Sequence, residues 1–271
     1  MTIQKEKPVA EQNLVLCEVK EYVATVVLND PDSRNSLSDS LVPLLCDILE
    51  ECDRRTDVLV ILLSAAGDSF CAGGNIKEFL TFRDRSAVTL LDEARAGTGR
   101  LFHVLASLKT PVVSAVQGPA LGGGCGIVCS SSYVFASPEA RFGTTEIRLG
   151  LFPLVILPAV RKAVGERNAF EMAMTGGIYS AERAKELGMV DRVVAAEDLM
   201  NEATAFCRSI ADRSPLAVGL GYSSMRETEH MGVHEAVDYL ASIRVAFYQS
   251  EDVHEGAASF LERRDPSWTG R

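Results

Sequence analysis

Long apolar runs, a basic charge excess and paired cysteine motifs are all missing from this sequence of 271 residues. No stretch of about 18 apolar residues occurs, so a membrane span is not expected. The formal net charge is −10, which argues against a large basic surface for nucleic acid. The seven cysteines include no CxxC pair and most have apolar neighbours. They are predicted to be reduced core residues of a cytoplasmic protein.

Histidine is also scarce, and only His230 and His234 have a spacing that can bind a metal on one helix face. No third ligand lies nearby in the sequence, so no metal is predicted. The first residues, MTIQKEKPVAEQ, lack the apolar stretch of a signal peptide. They are predicted to form a polar N-terminal arm at 1–13.

Glycine is concentrated in two stretches, FCAGGNIKEF at 70–79 and GPALGGGCGIV at 118–128. Neither matches G-x-G-x-x-G, the P-loop or the G-x-S-x-G elbow. Each follows a buried apolar strand and precedes a helix, whose first N–H groups have no partner within the helix. Glycine lets such an N–H approach a ligand closely. Two of them aimed at one oxygen would form an oxyanion hole; tight helix–strand packing is the alternative explanation.

The pattern of apolar residues predicts an α/β (α+β) protein with uneven ββα units rather than a doubly wound sheet. A catalytic core is predicted at 14–197 and a helical C-terminal region at 198–271. In the core, the predicted elements are a hairpin at 14–28, a helix at 39–54 with Ser38 as its cap, strands at 58–66, 112–118 and 133–137, and helical segments at 80–108, 122–130 and before Gly188. In the C-terminal region, helices are predicted at 198–211, 214–229, 233–249 and 251–262.

Taken together, the glycine stretches resemble two turns of the crotonase (enoyl-CoA hydratase/isomerase) superfamily. FCAGGNI is similar to F-C-A-G-[AG]-D-[IL], and VQGPALGGGCG is similar to [NQ]-G-x-A-x-G-G-G. The resemblance extends through NDPDSRNSL, FGTTEIRLGLFP, MTGGIYSAERAKELGMVDRVV and EGAASFLERRDP, and so covers residues 14–268. It implies a ββα spiral core, a helical trimerisation region, a homotrimer or homohexamer, an acyl-CoA substrate, and no cofactor beyond the CoA of that substrate.

The resemblance also implies site residues. The N–H groups of Gly74 and Gly123 occupy the oxyanion-hole positions, where they would stabilise an enolate. Glu146 of FGTTE is the implied acid/base, and burial is expected to raise its pKa; a structural pairing with Arg141 or Arg148 is the alternative. CoA and substrate contacts are implied for Arg34, Ser36, Ala72, Gly73, Gly74, Asn75, Ile76, Gly123, Phe260 and Arg263.

The position that carries a first glutamate in many hydratases is Gly126 here. A glycine there, followed by EIRLGLFP, resembles methylglutaconyl-CoA hydratase-like members. This implies hydration or dehydration of a 2-enoyl-CoA with a branched or carboxylated acyl group, and the residues at 154–157 are expected to reshape the acyl pocket. An enoyl-CoA isomerase and a degenerate binding or assembly protein remain alternatives. A distal carboxylate would need a cation from Lys77, Arg83, Arg85, Arg95 or Arg100.

Overall fold

The computed structural model describes residues 14–271, so the predicted arm at 1–13 lies outside the described residues. The main sheet has six strands in the order β1-β2-β3-β4-β6-β9. Its first two strands form the predicted antiparallel hairpin, and all later neighbours are parallel. The strands of this sheet are β1 Val15–Lys20, β2 Val23–Leu28, β3 Val60–Ala65, β4 Val112–Val116, β6 Tyr133–Ala136 and β9 Arg192–Val193.

A second, smaller sheet has the order β5-β7-β8 and is built from short strands between those of the main sheet. They are β5 Ala120–Leu121, β7 Arg141–Gly143 and β8 Tyr179–Ser180. The chain therefore passes repeatedly from one sheet to the other: β4 to β5, then β6 to β7 and β8, then β9. This alternation is the predicted ββα spiral.

Helices surround the two sheets. Residues of β3 and β4 are buried throughout except for Ala65, which explains their continuous apolar sequences. The helices are α1 Leu41–Arg54, α2 Ile76–Phe79, α3 Ala87–Ala94, α4 Arg100–Ser107, α5 Gly123–Ser130, α6 Leu157–Thr175, α7 Ala181–Glu186, α8 Leu199–Ala211, α9 Pro215–Glu227, α10 Val233–Tyr248 and α11 Glu251–Glu262.

The C-terminal helices begin and end close to their predicted positions. Helix α8 packs on the main sheet, where Leu199, Ala203 and Cys207 join the buried cluster that contains Val60 and Phe135. Ser214 and Ser250 cap α9 and α11 by accepting backbone N–H groups. The division into a core at 14–197 and a helical region at 198–271 stays a prediction.

Two helical assignments differ from the prediction. The segment 80–108 is not one helix: α3 and α4 are separated at Gly97, whose φ of −89° and ψ of −117° are not helical. Helix α6 was not predicted, because its own sequence has no clear amphipathic period. A glycine inside it, Gly165, has a φ of 76°, which only glycine adopts without strain.

All seven cysteines are free, and six of them are buried, as the composition predicts. Cys17 is the exception because it is exposed on β1. Within residues 14–271, no helix has both the length and the apolar content needed to cross a membrane. The cytoplasmic location stays a prediction.

Candidate active site

The first glycine turn, residues 71–75, lies beside the loop that follows the hairpin. The Ala72 N–H donates to the Arg34 carbonyl at 3.0 Å, and the Leu37 N–H donates to the Gly73 carbonyl at 2.8 Å. Asn35 anchors this loop, since its buried side-chain amide donates to the carbonyls of Ala66 and Ser69, each at 2.9 Å. The loop that carries Arg34 and Ser36 is thereby held against the first turn.

The second glycine turn runs alongside the first. The Leu121 N–H donates to the Cys71 carbonyl at 2.9 Å, and the Gly122 N–H donates to the Gly143 carbonyl at 2.8 Å. The segments 71–74, 120–123 and 142–146 therefore lie side by side. Gly73 has a φ of +87°, and an added Cβ there would lie 3.2 Å from the Gly123 nitrogen. Glycine is needed at 73 for both its conformation and this close approach.

The two predicted N–H donors face no acceptor in the part of the chain that the structure describes. Gly123 is the first residue of α5, where an N–H has no intrahelical partner. The Gly74 N–H also has no backbone or side-chain acceptor among residues 14–271. Both groups are free to bind a ligand oxygen, and the helix dipole adds positive potential at Gly123.

Glu146 lies next to the second turn, at the start of a 3-10 segment, Glu146–Leu149. An added Cβ on Gly122 would lie 3.1 Å from Glu146 Oε1, so the carboxylate reaches the backbone of the turn. Burial raises the pKa of Glu146, and its own backbone N–H partly opposes this shift. Within the described chain, Glu146 has no ion pair with Arg141 or Arg148. The alternative of a structural carboxylate therefore finds no support.

Two buried side-chain oxygen atoms of residues 14–271 have no hydrogen-bond partner, and both belong to the FGTTE segment. They are Thr144 Oγ1 and Glu146 Oε2. An unpaired buried polar atom costs about 1–3 kcal/mol, so two of them in one short segment mark a place where water or a polar ligand can bind. The sequence prediction missed Thr144, although its position two residues before Glu146 was a signal for it.

The position of the missing glutamate is filled from another part of the chain. A Cβ on Gly126 would lie 2.7 Å from the Ile156 Cβ, 2.8 Å from the Phe102 ring and closer still to Ile156 Cγ2. Glycine is required here because the side chains of Ile156 and Phe102 occupy the space. Ile156 belongs to the segment 154–157 that the sequence singled out for the acyl pocket, whereas Phe102 was not identified. The contact of both with Gly126 was not predicted, since it joins segments far apart in the chain.

Replacing Gly126 with Ala is expected to destabilise the protein by about 1–3 kcal/mol through overpacking, despite alanine's higher helix propensity. A thermal melt followed by circular dichroism measures the change. Gly221→Ala in α9 is the matched control, because no atom lies within 4 Å of its added Cβ. That variant should be as stable as the parent or more stable. If both changes shift the melting temperature equally, Ile156 and Phe102 do not fill the space at Gly126 as described.

The remaining predicted contacts fall into two groups. Asn75 caps α2 by accepting the Lys77 N–H at 3.1 Å, and Ile76 is exposed beside the first turn. Phe260 and Arg263 lie at the end of α11, and Phe260 is 83% exposed. Within residues 14–271, no hydrogen bond or ring contact joins these two residues to the glycine turns.

The spiral fold, two unpaired N–H groups on adjacent turns and one half-buried carboxylate define a class of enzymes that can stabilise an oxyanion beside an acid/base group. Residues 18–271 match the family model for enoyl-CoA hydratase/isomerase, so the chain belongs to this family. The crotonase superfamily predicted from the motifs is confirmed, and with it the prediction of an enzyme of the enoyl-CoA hydratase type.

The similar proteins are about as long as this chain, because each match covers most of both chains. The chain is 31% identical to a probable mitochondrial enoyl-CoA hydratase of Dictyostelium discoideum, over 93% of this chain and 89% of that protein. It is 29% identical to the short-chain-enoyl-CoA hydratase of Clostridium acetobutylicum, over 94% and 97%. The solved structure of an enoyl-CoA hydratase from Mycobacterium smegmatis superimposes with a TM-score of 0.89, at 29% identity, over 94% and 98% of the two chains.

Proposed function

We propose that the protein adds water to a 2-enoyl-CoA thioester, or removes it in the reverse direction, with Glu146 as the acid/base. The observation that carries this proposal is the pair of unpartnered buried oxygen atoms, Thr144 Oγ1 and Glu146 Oε2, beside the second glycine turn. The names of the similar hydratases support the same reaction class.

In this mechanism, the thioester carbonyl oxygen accepts hydrogen bonds from the N–H groups of Gly74 and Gly123. Glu146 takes a proton from water while the water oxygen bonds to the β-carbon. The electrons of the double bond move to the thioester oxygen and give an enolate, which the two N–H groups stabilise. Glu146 then returns the proton to the α-carbon, and the hydroxyacyl thioester is complete. Dehydration is the same path in reverse.

A single carboxylate must therefore both accept and return the proton. The contacts of Ile156 and Phe102 at Gly126 leave no room for a second carboxylate at that position. We assign the buried Thr144 hydroxyl to the orientation of the reacting water, since its oxygen atom has no protein partner among residues 14–271. A hydroxyl can donate and accept hydrogen bonds but cannot replace a base.

The acyl group is proposed to be branched or carboxylated. Of the five cations considered for a distal carboxylate, two are engaged: Arg85 pairs with Glu93 at 2.5 Å, and Arg100 pairs with Asp47 and Glu50, each at 2.8 Å. The other three have no ion pair within residues 14–271 and are the better candidates. They are Lys77, Arg83 and Arg95.

The test is a panel of straight, branched and carboxylated enoyl-CoA esters, with products analysed by mass spectrometry. We expect the gain of one water, with a higher kcat/KM for a branched or carboxylated ester than for crotonyl-CoA. Migration of the double bond without a mass change would instead establish an isomerase. If none of the CoA esters binds, the proposal is contradicted and a binding or assembly role is left.

The chain is further proposed to form a homotrimer or a pair of trimers. Large apolar side chains are exposed on the C-terminal helices, including Leu261 at 81%, Val233 at 78% and Met225 at 72%. Such a surface is typical of a protein interface. Light scattering after size exclusion should give a mass of three or six chains of 29.3 kDa. A monomer at micromolar concentration would contradict this assembly.

A further inference from the structure

A pair of cysteines lies outside the site described above. Cys17 is in β1, one of the two edge strands of the main sheet within residues 14–271, and Cys52 is in the last turn of α1. Their Sγ atoms are 3.8 Å apart although 35 residues separate them in sequence. The helix packs against the strand, and Cys52 belongs to the main buried cluster. The contact is therefore part of the fold.

The two sulfur atoms are not equivalent. Cys17 is exposed, whereas Cys52 is only 2% exposed. The Cys52 thiol donates a hydrogen bond that lowers the pKa of Cys17 to about 7, and the charge of Arg55 acts in the same direction. The same hydrogen bond and burial raise the pKa of Cys52. The accessible sulfur is thus the better thiolate near neutral pH, and the buried one remains a thiol.

We propose that Cys17 and Cys52 are a redox modification site at which a hydroperoxide produces a reversible Cys17–Cys52 disulfide. The Cys17 thiolate attacks one oxygen of hydrogen peroxide and the O–O bond breaks. Cys17 becomes a sulfenic acid, and the other oxygen leaves as hydroxide, which takes up a proton to form water. The Cys52 sulfur then loses its proton and attacks the Cys17 sulfur, the S–O bond breaks, and water leaves. In total, two thiols are oxidised and hydrogen peroxide is reduced to two molecules of water.

The geometry is suited to this second step. The sulfur atoms must approach from 3.8 Å to about 2.05 Å. Among residues 14–271, β1 pairs with one strand only, so the other side of β1 carries no further strand of the described chain. The disulfide would enclose the hairpin, the loop carrying Arg34 and Ser36, and most of α1. Closing such a loop restricts the unfolded chain, so the oxidised protein is expected to melt at a temperature higher by roughly 5–10 °C.

The experiment treats the reduced full-length protein with a small molar excess of hydrogen peroxide, blocks free thiols with N-ethylmaleimide, and maps peptides without reduction. We expect a cross-linked peptide containing Cys17 and Cys52, a mass loss of two hydrogen atoms, and reversal of both by dithiothreitol. A disulfide that joins other cysteines, or oxidation of Cys17 to sulfinic acid without a cross-link, would overturn the proposal.

Serine variants separate the two steps. Cys52→Ser should leave a sulfenic acid at residue 17 that dimedone traps, whereas Cys17→Ser should show neither dimedone labelling nor the cross-link. Cys17→Ser changes an exposed side chain and is expected to fold. The comparison of this variant with the parent therefore stays available if Cys52→Ser, which changes a buried side chain, does not fold. Cys207→Ser, which alters a buried cysteine on α8, is the control and should form the cross-link like the parent. Dimedone labelling of Cys17→Ser as strong as that of Cys52→Ser, or a peroxide-induced cross-link to Cys52 that persists in Cys17→Ser, would refute the assignment of the reactive sulfur.

Discussion

Glu146→Gln is expected to lower kcat for water addition by about 10²–10⁴-fold, the range that a positioned acid/base contributes. The amide keeps the shape of the side chain but cannot take a proton from water. Steady-state rates with the best ester of the substrate panel give the measurement. Glu139→Gln is the matched control, because this exposed glutamate precedes β7 and has no ion pair within residues 14–271. Its rates should equal those of the parent; full activity of Glu146→Gln would remove Glu146 from the mechanism.

The pH dependence provides a second readout of the same residue. Glu146 must be ionised to act as the base, and burial raises its pKa above the ordinary 4.5. The rate of hydration should therefore fall, on acidification, at a higher pH than an exposed glutamate would give. If the midpoint of this fall in rate lies at or below the ordinary glutamate pKa of 4.5, the prediction is contradicted. In Glu146→Gln, the residual rate should not show this fall on acidification.

The melting temperature of Glu146→Gln distinguishes a loss of catalysis from a loss of folding. The folded-state pKa of Glu146 is raised, so the protonated carboxyl stabilises the fold below the unfolded-state pKa. That contribution is lost as the pH rises through the folded-state pKa. A neutral glutamine avoids burying the charge, so Glu146→Gln should melt at the same temperature as the parent or higher at neutral pH. A lower melting temperature would show that the change damages the fold.

Local sequence was sufficient to predict the hairpin, the buried strands and the four C-terminal helices. Each has a period of apolar residues within its own segment. The structure adds that Ser214 and Ser250 cap two of these helices. Helix α6 was missed because its sequence has no clear amphipathic period, and its interior glycine, Gly165, gave no helical signal. The break at Gly97 divided a segment whose composition favoured one helix.

For the candidate site, prediction from the sequence reached a different limit. The motif positions of Gly74, Gly123 and Glu146 could be read from the resemblance, and the three segments that carry them prove to be neighbours. What the sequence could not provide were contacts between distant segments. Ile156 and Phe102 occupy the space at Gly126, and Asn35 anchors the loop that carries Arg34 and Ser36 through carbonyls more than thirty residues away. Such contacts depend on how the spiral closes, which no local pattern encodes.

Removal of the second N–H donor is expected to have the other large effect. Gly123→Pro eliminates the N–H at the first position of α5, where proline is compatible with a helix. Helix α9 of the same chain already begins with Pro215. Because one oxyanion donor contributes about 10²–10³-fold to kcat, we expect the proline variant to fall by this factor relative to Gly123→Ala. Rates at saturating enoyl-CoA give the comparison.

Gly123→Ala is the proper reference because it adds the same Cβ, which would lie 2.5 Å from Leu37 Cδ1, and keeps the N–H. Both variants add this Cβ, so its steric cost is common to them. The proline variant alone adds the ring carbons Cγ and Cδ, so the effect of the lost N–H must also be checked without a ring. If the proline variant does not fold, replacement of Gly123 by glycolic acid removes the N–H without adding a ring. Equal kcat values for a folded N–H-deficient protein and its N–H-containing reference would show that the thioester oxygen is held elsewhere. A drop confined to the N–H-deficient proteins would trace the stabilisation of the enolate to one hydrogen atom of the glycine turn.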